Sequence, residues 1–150
     1  MFPLTIAGRI ESANISADQV PVLIAALKSA LQRARATDVT CAGNTVAFRA
    51  GMLRLVSNWN VLAPIGSGVI EVHAGSPGIV RYRFSCVQML VAASIMVSVA
   101  VILIPQTKPL LFRLGAPFAM WLWLFGVNFV VASFRLPAFV CRAVRDARAA

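Results

Sequence analysis

The sequence predicts an α+β domain over residues 1–83, a two-helix transmembrane hairpin over residues 84–134 and a basic C-terminal tail over residues 135–150. The hairpin rests on two apolar runs, residues 84–104 and 114–134, each 21 residues long and free of Asp, Glu, Lys, Arg and His. At about 1.5 Å per helical residue each run reaches roughly 31 Å, close to the ~30 Å hydrocarbon core of a bilayer. Only PQTKPLLFR lies between them, enough for a tight loop. The domain rests on a different signal. Ahead of residue 84, apolar residues recur with periods of two and of 3.6, punctuated by Gly, Pro and Asn. Composition divides the same way: the chain is 59% apolar and 13% charged, and the excess over soluble averages (about 45–50% and about 25%) lies after Arg83.

Taken in order, Phe2, Leu4, Ile6 and Ile10 alternate with Pro3, Thr5, Arg9 and Glu11, the period of a half-buried strand. After the polar stretch SANISAD, Ser16 or Asp18 is placed to cap a helix reaching about Arg35. Pro21 is tolerated there because first-turn N–H groups have no intrahelical partner. Val20, Leu23, Ile24, Leu27, Leu31 and Ala34 make the apolar stripe. Val39 and Cys41, the turn Gly43-Asn44, and Val46 and Phe48 read as a hairpin with all four side chains on one face. Gly51 breaks the chain before Leu53 and Leu55, and residues 69–73 and 79–84 form a second hairpin around AGSPG. A strand, a helix and then four or five strands make an α+β domain with a mostly antiparallel sheet. The last strand runs into the first apolar helix without a linker, which would hold the domain against a membrane surface.

Charge sets the expected orientation. Formal net charge is +9, with twelve Arg and two Lys. Eight of these cations lie in residues 1–83, two (Lys108 and Arg113) in the loop, and Arg135, Arg142, Arg145 and Arg148 after the second run. Cations are retained on the cytoplasmic side, so a two-pass protein of the inner (plasma) membrane is expected, with both termini cytoplasmic. MFPLTIAGRIES lacks the basic and apolar regions of a secretory signal, as a domain made in the cytosol would. The Arg-over-Lys bias suits a GC-rich bacterial genome. Arg81, Arg83, Arg135, Arg142, Arg145 and Arg148 are the expected contacts to anionic lipid headgroups. In the tail, Phe139, Val140 and Val144 beside the last three fit either a short amphipathic helix lying on those headgroups, at about 1 kcal/mol per cation, or simply a basic topology anchor. Topology accounts for most of the charge, and basic–aromatic interleaving is sparse, so no nucleic-acid partner is expected.

Chemistry-bearing motifs are thin. His73 is the only histidine, with no Cys, Asp or Glu near it at ligand spacing except Glu71, so neither a metal nor a catalytic residue is assigned. Glu71 shares the His73 face of the strand and would equally pair across the hairpin with Arg81 or Arg83. GSGVIEVHAGSPG fits neither a Walker loop nor a dinucleotide fingerprint, and no cofactor is expected. Cys41, Cys86 and Cys141 are widely spaced, the pattern of unlinked thiols in a reducing compartment. Asn58-Trp59-Asn60 is the most distinctive feature of the domain; it reads as a core Trp in a tight corner with its Asn neighbours bonded to local backbone, and it is also the best candidate contact site of the domain. Gln88 and Asn128 fall at similar depth in an antiparallel hairpin, where they would bond one another at roughly 0.6–2 kcal/mol or meet another subunit. Ser94-xxx-Ser98 and Gly115-xxx-Ala119 offer small faces for close helix approach, and Trp121 and Trp123 point in nearly opposite directions at mid-membrane.

Three function classes follow. The first is a non-enzymatic membrane-anchored interaction module or accessory subunit that binds a protein partner or its own copies. Poverty of catalytic groups and the linker-free junction favour it. The second is an oligomeric two-helix pore, which the absence of ionisable residues in the runs disfavours. The third is a membrane-bound ligand sensor or enzyme using Trp59, Glu71 and His73.

Overall fold

The computed structural model describes residues 4–12, 14–49, 62, 64–105, 107 and 109–149. Five strands, β1 (Thr5–Ser12), β2 (Thr37–Ala42), β3 (Thr45–Arg49), β4 (Ser67–His73) and β5 (Gly78–Ser85), form one antiparallel sheet in the order β1-β5-β4-β3-β2. The chain is α+β, as the alternating pattern predicts. Helix α1 (Gln19–Arg33) carries the chain from β1 across one face of the sheet to β2 at the far edge. Four strands follow it, within the expected four or five. Asp18 occupies the N-cap without a side-chain bond; instead the Ser16 N–H donates to Gln19 Oε1 at 3.2 Å.

The expected period decides which face is buried. In β5, Gly78, Val80, Tyr82 and Phe84 point inward while Arg81 and Arg83 are exposed; in β4, Gly68, Ile70 and Val72 point inward. The α1 stripe Leu23, Ile24, Leu27, Ala30 and Leu31 covers this face. Phe48 and Phe84 meet with ring centroids 5.8 Å apart over Gly68, where a Cβ would run into both rings. In the first hairpin Val46 and Phe48 are buried and Val39 packs at the rim, but Cys41 is exposed. Its strand is the sheet edge, and a register irregularity between Thr37 and Thr40 loosens the alternation.

Two boundaries differ from expectation. The first apolar run begins inside the sheet: Phe84 and Ser85 belong to β5, and only Cys86 separates them from α2 (Val87–Leu103). Apolar composition cannot distinguish an inward strand residue from a membrane one, so the run reads longer than the helix it contains. The second helix is longer than 114–134. It starts at Leu110 within the expected loop, as α3 (Leu110–Trp121), passes through a π-helical segment (Leu122–Val127) and continues as α4 (Asn128–Ala149). The unbroken apolar helix Leu110–Arg148 has 39 residues, about 58 Å. By length and composition it is the single membrane-span candidate among the described residues; α2, at 17 residues or about 25 Å, falls short of ~30 Å. The two-pass hairpin is therefore supported for one helix, although α2 does lie beside α3.

The tail is the larger departure. Pro137 sits inside α4 and does not stop it, and Leu136, Val140, Ala143 and Val144 join the core of the domain with Ala132. α4 packs against α1 and β1 as the second helix over the sheet. The apolar stripe expected on lipid headgroups is buried in protein instead. Its spacing serves either surface equally well, and only the partner decides.

Candidate functional site

Covered on one face by α1 and α4, the sheet leaves its other face bare of any described element. The register sorts its outward side chains into rows. Nearest α2 lie Thr5, Ser85, Ser67 and Arg49, directly opposite one another across β1, β5, β4 and β3. The next row is Ala7, Arg83, Val69 and Ala47, and the third is Arg9, Arg81, Glu71 and Thr45. His73, Ile79 and Glu11 end the face. Two shallow hollows result. One, of about 580 Å³, is lined chiefly by Thr5, Ser67, Ser85, Arg49, Arg83 and Asp38. The other, of about 550 Å³, lies between Arg9, Arg81, Glu71 and Arg83.

Charge on this face is unevenly compensated. Arg9 lies directly opposite Arg81, an arrangement that destabilises a strand pair. Arg9 is relieved by an ion pair to Glu11 at 3.1 Å, both groups exposed. Glu71 stands across from Arg81, yet its carboxylate lies 3.5 Å from His73 Nε2. The two half-exposed groups form a weak surface contact. Toward α2, Arg49 and Arg83 have no ion pair among the described residues, and Asp38 is the one acid beside them. No group of three or more His, Cys, Asp or Glu converges among the described residues.

The sequence-predicted residues fall in different places. Asn58, Trp59 and Asn60 lie outside the described residues. Gln88 and Asn128 are not brought together. The Gln88 side chain lies over Gly66, where a Cβ would collide with it. Asn128 Nδ2 donates to Leu124 O at 2.8 Å, while its backbone N–H bonds Phe125 O. At the end of the π-helical segment the side chain thus takes the acceptor that an α-helical N–H would use. Sequence spacing orders residues along a helix; it does not fix which way each side chain turns.

At the α2–α3 contact Trp121 Nε1 donates to Ser94 Oγ at 3.3 Å and its ring packs on Phe125 at 5.3 Å. Ser98 bonds its own helix through Ser94 O. A Cβ on Gly115 would meet nothing, so that small residue is not where the helices touch. Trp123, by contrast, is 68% exposed.

Among the arginines expected at headgroups, Arg81 and Arg83 are on the bare sheet face, Arg142 and Arg145 are exposed on α4, and Arg135 is half-buried. Arg148 donates to Asn14 O at 3.3 Å, stitching the end of α4 to the loop before α1. Arg49, Ser67 and Ser85 carried no sequence signal of their own. The alternation that exposes Arg81 and Arg83 also turns these three to the outer face, Arg49 exposed and the two serines half-buried, but only the pairing of β3, β4 and β5 lines them up.

The three thiols are free. Cys41 and Cys141 are exposed; Cys86 is fully buried where β5 meets α2, and burial pushes its pKa up to about 11. The Tyr82 hydroxyl is also pushed up, by burial and by the nearby Cys141 thiol. Comparison with protein families, characterised proteins and solved structures returns no match.

Proposed function

We propose that this chain is a non-enzymatic integral membrane protein, a two-pass interaction module or accessory subunit whose small domain is held rigidly at the cytoplasmic surface. The observation that carries this reading is the uncovered apolar belt. Only 22% of the most apolar window of the long helix is buried, and Ile102, Leu111 and Phe134 are 79%, 86% and 73% exposed. A contiguous apolar surface of that kind calls for hydrocarbon or a partner. Below the belt, Leu136 to Val144 lock the same helix into the domain, and Cys86 joins the sheet to α2 without slack. Two rods thus enter one small body, which suits a part that positions something better than one that moves.

The packing of α4 on α1 and β1 supports a reading in which both chain ends lie on one side of the bilayer, and the cation bias favours the cytoplasmic side. A 17-residue α2 crosses with local thinning of the bilayer, at fractions of a kcal/mol per Å of mismatch. Of the arginines expected at headgroups, Arg83, in the second row from α2, and Arg135, one residue past Phe134, stand nearest the belt.

Alkaline carbonate extraction tests the anchor: the chain is expected to stay in the membrane pellet. A membrane-impermeant maleimide tests the topology. Cys41 and Cys141 should label in inside-out vesicles and not in right-side-out ones, whereas Cys86 should stay unlabelled at pH 8 until the protein is denatured. Its thiolate, the reactive form, is scarce when the pKa is raised, and the fold excludes the reagent. Labelling of Cys41 from the outside would reverse the topology. For the module itself, extraction in a mild detergent and intact mass should give a stoichiometric second protein or a multiple of 16.1 kDa. A bare monomer would sink the subunit reading.

A further inference from the structure

We propose that the hollow on the bare sheet face nearest α2 is a binding site for the phosphate of an anionic lipid headgroup, held between Arg49 and Arg83 above the hydroxyls of Ser67, Ser85 and Thr5. It rests on the membrane reading above and adds to it a specific ligand and a specific place.

Four observations converge. Register alone sets Thr5, Ser85, Ser67 and Arg49 in one row, with Arg83 in the next row above Ser85. Arg83 is flanked in its row by Ala7 and Val69, with Ala47 beyond Val69, and these short side chains leave the hollow of about 580 Å³ open to an oxyanion. Both Arg49 and Arg83 are exposed and without an ion pair among the described residues; of the two arginines farther out, Arg9 has Glu11 as an ion-pair partner and Arg81 has Glu71 across from it. Two guanidinium forks and three hydroxyls form a donor set suited to a phosphate, which takes charge-assisted and bidentate bonds. The fourth observation identifies the source. Ser85 is separated from α2 by Cys86 alone, so this end of the sheet stands where headgroups begin, and the acids Glu71 and Glu11 lie in the two rows at the other end. Asp38 is the exception, an acid on the β2 rim of the hollow. It opposes an anion and provides a second sign to test.

The test uses the full chain in an uncharged detergent and isothermal titration with dihexanoyl phosphatidic acid, with inorganic phosphate and dihexanoyl phosphatidylcholine as separate arms. Phosphatidic acid is expected to bind, phosphatidylcholine not. Arg49→Gln and Arg83→Gln should each weaken binding about tenfold, the loss of one charge-assisted pair. Asp38→Asn should tighten it, and Arg9→Gln should leave it unchanged. Unaltered melting of each variant separates lost binding from lost fold, and Arg83→Lys, which keeps the charge without the fork, should fall between. Equal affinity for the two lipids, or for inorganic phosphate and phosphatidic acid, overturns the headgroup assignment. So does binding that ignores both arginine variants. Release of the wild-type chain by carbonate would bring down the membrane reading itself; retention with no phosphatidic acid binding would bring down this site alone.

Discussion

Ending the chain after Arg135 is expected to leave the N-terminal domain unable to fold. The deletion removes Leu136, Val140, Ala143 and Val144, all buried in the same core as the sheet and α1. Burying one large aliphatic side chain is worth about 1.5–3 kcal/mol, and three of these four are Leu or Val. Their sum is of the order of the whole stability of a small domain, about 5–15 kcal/mol. The deletion also bares the apolar surface of α1 that α4 covers. A milder form of the test is Leu136→Ala, at a side chain with no exposure, for which about 2–5 kcal/mol of destabilisation is expected. Arg142→Ala and Arg145→Ala, on the exposed side of the same turns, should stay within about 0.5 kcal/mol. Thermal melting in detergent with limited proteolysis reads all four. If the tail were a helix resting on headgroups, the pattern would invert: the truncated domain would melt like the parent, and the arginine variants would carry whatever effect there is.

That contrast marks how far the sequence reaches. Elements whose pattern is local were legible: the period-two alternation of β1, β4 and β5, the 3.6 period of α1, and the Gly43-Asn44 turn are set by residues a few positions apart, and Gly43 indeed takes a positive φ of 57°. What was not legible depends on partners far along the chain. Nothing in residues 136–147 says whether their apolar stripe meets lipid or Leu27. Pro137 costs α4 one hydrogen bond, and tertiary burial on either side outweighs that loss here. Gln88 and Asn128 were matched by position along their helices, but their side chains go to Gly66 and to Leu124 O, because rotation about a helix axis is decided by packing. The cationic hollow is the clearest case. Arg49 and Arg83 are 34 residues apart, and only the β3-β4-β5 register sets two unremarkable surface arginines on the wall of one hollow with a row of hydroxyls.

Phe84→Ala is expected to destabilise the domain by about 3–5 kcal/mol, and the reason tests where the membrane begins. By composition Phe84 opens the first apolar run and would face hydrocarbon, where trading a ring for a methyl costs little folding stability. In the sheet it is fully buried, 5.8 Å from the Phe48 ring and 5.4 Å from that of Tyr82, with Gly68 leaving it room. Truncation there empties a cavity at the centre of the core that neighbours held by β3 and β4 cannot fill. Ile102→Ala supplies the counterpart. That side chain is 79% exposed near the end of α2, so the same melting measurement should register less than about 0.5 kcal/mol. A small effect at Phe84 would move the start of the membrane segment back into β5, and with it the hollow beside Ser85, which would then be too deep for a phosphate. A large one fixes the sheet outside the bilayer up to Ser85, with Cys86 as the single residue at which a buried strand becomes an apolar helix.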